Sequence, residues 1–142
     1  MSIDLKEEVR RIIQQRNLCS YMNDTKWNKL RTAMINDMPF PPPYIIKFLF
    51  EETDDETVGN ASFCREDVYY QGNWHSGFAV ENYFNGAFAI EWIKVRPRYL
   101  KHRGKLVEPE IINAEEEFLK ILKRYSIYYE ENNGVYCIYG YK

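Results

Sequence analysis

The residues best able to do chemistry gather in mid-chain, where Gly72-Asn73-Trp74-His75-Ser76-Gly77 sets an indole, an imidazole and a hydroxyl side by side. Imidazole titrates near neutral pH, so His75 is the residue type for a general base. Cys64, Asp67 and Glu81 lie near in sequence, and Cys64 or Glu81 would serve with His75 in a small hydrolase site; Glu91 is a separate candidate for a catalytic carboxylate. Geometry argues the other way. Successive side chains of an extended segment point to opposite sides, so Trp74, His75 and Ser76 converge only in a special turn. The plainer expectation is a β-connection in which Trp74 plugs the edge of the core and His75 is solvated. Glu91 lies between Ile90 and Trp92 in an apolar run, and an unpaired buried carboxylate is costly. It must therefore point outward or meet a base.

Two charge runs suggest binding instead of catalysis. Lys94, Arg96, Arg98, Lys101 and Arg103, with Tyr99 interleaved, suit phosphate contacts and the stacking of a base. Segment 94–105 also reads as a solvated connection. Glu51, Glu52, Asp54, Asp55 and Glu56 suit a basic partner protein. They lack the ligand order and glycine of a calcium loop, so no metal is expected there, and a solvated turn is the plainer reading. Tyr69, Tyr70 and Trp74 are the rings available to anchor a partner.

Composition limits these readings. The 142 residues carry a net charge of -2, unlike domains that coat nucleic acid with their whole surface. No GxGxxG, Walker A, HExxH or GxSxG pattern occurs, and no cofactor is expected. Cys19, Cys64 and Cys137 are too few and too scattered for a disulfide framework or a cysteine zinc site. The opening residues lack a secretory pattern and no apolar run is long enough to span a bilayer. A cytoplasmic protein that does not enter membranes is expected.

The elements that must position these residues follow from periodicity and punctuation. Leu5, Val9, Ile12 and Ile13 predict a helix over 4–18, with Asp4 and Glu7 as a capping box. Trp27, Leu30 and Met34 predict a second over 25–36, and Pro39, Pro41, Pro42 and Pro43 end it by Met38. A strand is expected over 44–51, with Tyr44, Ile46, Phe48 and Phe50 inward, and a weaker one over 61–64 or 68–70. Residues 78–83 form at best a short element, Asn85-Gly86 suits a hairpin turn, and the strongest strand spans 87–96 with a bulge near Trp92. Asn113 caps a last helix whose stripe is Phe118, Ile121, Leu122 and Tyr125. Asn132-Asn133-Gly134 then joins strands at 127–130 and 135–141 in a hairpin. The layout is one α+β domain over 1–142, with 1–22 as an N-terminal helical extension: two helices, a mainly antiparallel sheet, a helix and a C-terminal β-hairpin, the helices packed on one sheet. The chain is expected as a monomer, or as a homodimer if strand 135–141 lies at a sheet edge.

Trp27 and Leu30 in the early helix, Trp74 in its glycine-rich loop, Ile90-Glu91-Trp92-Ile93 and the terminal Ile138-Tyr139-Gly140-Tyr141 also form a pattern. In these residues the chain resembles a domain-of-unknown-function family of small uncharacterised bacterial proteins, some of which look like immunity proteins of toxin systems. The likeness covers most residues after Asn23, leaves the first helix outside and carries over no catalytic residue. It implies a compact module that binds another protein, with the acidic run meeting a basic surface. The alternatives are a nucleic-acid-binding module using 94–105 and a small hydrolase around His75.

Overall fold

The structure, a computed structural model, describes residues 4–51, 58–80 and 83–142. Helix α1, Leu5–Arg16, buries Leu5 and Val9. It ends at Asn17, whose left-handed φ of 53° turns the chain before residue 18. The expected capping box does not form. Asp4 makes no side-chain cap bond, because its Oδ1 accepts instead from the Tyr83 hydroxyl at 2.9 Å. Helix α2, Asp24–Asn36, is capped by Asn23, whose Oδ1 accepts from the Lys26 amide at 2.8 Å. Trp27, Leu30, Ala33 and Met34 form its buried face. Leu5 and Val9 share one hydrophobic core with these residues, so α1 is docked on the body of the fold.

The main sheet is antiparallel in the order β1-β2-β6-β5, from β1 (Tyr44–Phe48), β2 (Ile90–Val95), β5 (Glu130–Asn132) and β6 (Val135–Tyr139). Pairing shifts from Lys47↔Trp92 to Phe48↔Ile90, which makes Glu91 the extra residue of a β-bulge. The bulge expected near Trp92 is therefore present, and it explains the irregular burial: Ile90, Ile93 and Val95 all reach the core, while Trp92 faces away. On that core face Phe118, Ile121 and Leu122 of α4 (Glu115–Arg124) pack with Ile93, Ile138 and the residues of α2. Asn113 serves α4 from one residue further out than expected, accepting from the Glu115 amide at 2.8 Å. Asn133 and Gly134, with φ of 56° and 78°, form the expected tight turn between β5 and β6.

Other expectations fail for physical reasons. β1 stops at Phe48, because Glu51 folds back to bond the Phe48 carbonyl at 3.0 Å. Its expected inner face is also blurred, since Lys47 is as buried as Phe48. In place of a strand at 61–64 there is helix α3, Val58–Arg65. Segment 68–70 is not a strand; its Val68 carbonyl accepts from the Leu100 amide at 2.7 Å. Strand β2 begins at Ile90, since Ala87–Ala89 is a 3-10 turn, and Asn85-Gly86 opens that turn instead of a hairpin. The basic segment is no simple connection. It builds a second, two-stranded sheet from β3, Arg98–Lys101, and β4, Glu110–Asn113, in addition to the main sheet. Finally, β6 lies inside its sheet, with β1 and β5 at the edges, which removes the terminal strand as a route to dimerisation.

Candidate functional site

The glycine-rich loop is a packing element. Trp74 is buried, its Nε1 donates to the Pro42 carbonyl at 2.9 Å, and its ring meets those of Tyr44 and Phe78. Arg31 of α2 donates to the carbonyls of Trp74 and His75 and so pins the loop to the helix side of the sheet. Asn73 organises the turn by accepting from the amides of His75 and Ser76, and His75 itself is exposed. Cys64 lines a cavity on the opposite face of the main sheet, beside Lys94 and Cys137. His75 and Cys64 therefore do not converge, and Glu81 lies outside the described residues.

Glu91 is buried at the bulge, with its carboxylate bonded by Lys47 and by Arg16. Burial raises the carboxyl pKa, but these two cations outweigh it and hold the group below the usual glutamate value. Both partners are committed to structure.

The cavity near Cys64 measures about 250 Å³. Its floor is a row across three strands, Lys94 opposite Cys137 and Cys137 opposite Glu130. Glu130 accepts from the Lys142 ammonium and from the hydroxyls of Tyr139 and Tyr128, and these bonds keep it ionised below the usual value. Burial raises the Tyr139 phenol well above normal, with Cys137 and Glu130 adding to the rise. Among the described residues no group of three His, Cys, Asp or Glu could hold a metal ion.

The basic segment is dispersed by the fold. Arg96 is buried, donating to the Phe63 carbonyl and reaching Asp67, while Arg98 clamps Asp67 through two bonds of 3.0 Å. Tyr99 packs edge-on to Phe40, and Lys94 lies on the open face of the main sheet. Of the six residues considered for nucleic acid, only Lys101 and Arg103 are exposed.

What these anchors support is an exposed hairpin. The Asp67 clamp and the Val68 to Leu100 bond lay segment 67–70 alongside β3, and Tyr69 stacks on His102 with ring centroids 4.4 Å apart. Tyr69 and Tyr70 are 52% and 53% exposed, and beyond them Leu106, Val107 and Ile111 are 108%, 51% and 55% exposed. Leu106 has a φ of 62°, a left-handed conformation that a bulky side chain rarely adopts. Two of the three rings expected as anchors are thus available, and Trp74 is not. Of the acidic run, Glu51 is exposed and the other four residues lie outside the described part. Leu106, Val107 and Ile111 lie within a charged stretch, signalled in the sequence by the apolar pairs Leu106-Val107 and Ile111-Ile112.

Fold and surface together describe a small mixed α+β protein with, among the described residues, two antiparallel sheets and a charged hairpin that exposes Leu106, Val107 and Ile111. The chain belongs to a family of unknown function, DUF6678, whose model matches residues 9–142. The match begins within α1 and so includes most of the helix expected to lie outside it. No curated protein and no solved structure matches the chain.

Proposed function

We propose that this protein is a protein-binding module, an antagonist or regulator that docks its partner on the β3–β4 hairpin and the adjoining Tyr69-Tyr70 segment. The observation that carries this reading is the exposure of Tyr69, Tyr70, Leu106, Val107 and Ile111 around one hairpin. Apolar side chains gathered at one place on a surface mark interaction sites more often than scattered ones do. Aromatic rings of this kind supply contact area at low entropic cost.

Chemistry also indicates the partner. The outgoing side of the hairpin carries Lys101, Arg103 and Lys105, with His102 among them, and its return side carries Glu108 and Glu110, so the basic charges lead at the tip. A twofold contact between two copies would bring this segment against itself. A different protein, offering an apolar surface rimmed by carboxylates, suits it better. The acidic run 51–56 would call instead for a basic partner, so the partner's charge separates the two surfaces.

The test compares tagged wild-type chain with a Leu106→Asp/Val107→Asp variant, as baits in lysate of the native host, with and without nuclease. A stoichiometric, nuclease-resistant protein held by the wild type and lost from the variant is the expected result. Equal retention by both baits, retention of nucleic acid alone, or an empty column overturns the proposal.

A further inference from the structure

A second recognition feature lies on α1, away from the hairpin. A groove of about 200 Å³ runs between that helix and the turn leading into β2, with Val9, Ile13, Phe88 and Tyr141 as its apolar lining and Lys6 and Arg10 at its rim. Tyr141 presents its ring to this space with its polar end already occupied, because its hydroxyl donates to the Phe88 carbonyl at 2.9 Å. The two cations stand one helical turn apart, a spacing that puts side chains on the same face. Lys6 Nζ lies 5.3 Å from the Phe88 ring centroid and 5.5 Å from that of Tyr83, over the aromatic wall.

The neighbouring charges sharpen the contrast. Arg11 bonds Gln15 and lies 3.9 Å from Glu8, and Arg16 is paired with Glu91. Asp4, just before α1, accepts from the Tyr83 hydroxyl. Arg10 is exposed and forms no side-chain hydrogen bond or ion pair among the described residues. A groove with apolar walls and two cations on one rim is complementary to a molecule with an apolar body and one anionic end.

We infer that this groove binds a compact organic carboxylate, its apolar body against Phe88 and Tyr141 and its carboxylate between Lys6 and Arg10. The volume is below the roughly 300–1,000 Å³ of pockets for drug-sized molecules, so the ligand is small. The site is independent of the hairpin, which lies on other elements. An Arg guanidinium suits a carboxylate because its paired donors match the two oxygens.

The experiment titrates the isotope-labelled full chain with 4-phenylbutyrate, followed by amide and aromatic resonances. The neutral 4-phenylbutanol and a Lys6→Gln/Arg10→Gln variant serve as controls, and both substituted positions are exposed. Binding is expected to perturb Val9, Ile13, Phe88 and Tyr141, and to weaken at least about tenfold for the alcohol and for the variant, as loss of a charge-assisted contact requires. Leu106→Asn should bind the probe like the wild type, which separates this site from the docking surface. No perturbation, equal affinity for acid and alcohol, or an unaffected variant overturns the inference.

Discussion

Lys47 and Glu91 meet at the point where β1 and β2 lose register, with Lys47 Nζ 3.0 Å from Glu91 Oε1. The bulge turns the extra residue's side chain toward β1, and burial then demands a counter-charge. Arg16, at the end of α1, supplies a second, so one carboxylate links the N-terminal helix to the edge strand. Removing Lys47 leaves the buried Glu91 carboxylate with Arg16, which is partly exposed, as its remaining cation. Lys47→Met should therefore cost about 2 kcal/mol, less than for a buried charge left wholly unpaired, measured as a fall in the urea midpoint, while Lys47→Met/Glu91→Met should recover part of it.

The same carboxylate gives a signed pH dependence. Its folded pKa lies below the ordinary glutamate value, so the stability it contributes is present above that value and is lost as pH falls through the folded one. Between about pH 5 and about pH 3, spanning the ordinary value near 4.3, wild-type stability should drop more steeply than that of Glu91→Gln. Parallel stability curves for the two proteins would show that Glu91 is not linked to folding.

Asp67 is held by two arginines, and it in turn holds the Tyr69-Tyr70 segment beside β3. Asp67→Ala leaves the Arg96 guanidinium, which is 1% exposed, with only the Phe63 carbonyl. A loss of about 3 kcal/mol follows for a buried charge deprived of its partner. Hydrogen exchange should accelerate at the Leu100 amide, which bonds Val68. If exchange there is unchanged, the clamp does not position the segment.

How far the sequence foretold this protein depends on whether a signal was local. Trp27, Leu30 and Met34 marked α2, Phe118, Ile121 and Leu122 marked α4, and Asn133-Gly134 marked the last hairpin, because helical period and positive backbone angles are written within a few residues. α3 was hidden by Gly59 and Asn60, which read as a turn yet lie within its first half. β3 and β4 are four residues each, too short for alternation to show among so many charges. The candidate sites depend on longer-range order. Nothing near Arg96 announces that it is buried against Phe63 and Asp67, and the row Lys94, Cys137 and Glu130 exists only because β6 lies between β2 and β5.

Gly134 tests the turn that fixes this strand order. Its φ of 78° is open to glycine but strained for a residue with a Cβ. Gly134→Val should cost roughly 1–2 kcal/mol, read as a lower melting temperature. Gly104, at a φ of 137° and with open space where a Cβ would stand, should likewise be penalised through its backbone and not through packing.

Leu106 sets stability against binding. It is fully exposed at a φ of 62°, so it makes little packing contribution to set against its backbone strain. Asparagine tolerates that conformation better than leucine, and Leu106→Asn should therefore raise folding stability, by up to about 1 kcal/mol. The same change removes the apolar tip proposed to meet the partner and should weaken that complex, with retention measured against the wild-type bait. A variant that is stabilised and still binds would show that Leu106 is not an anchor. One that is destabilised would show that the leucine packs where the fold leaves it open. Gain of stability with loss of binding is the combination expected of a strained residue retained for recognition.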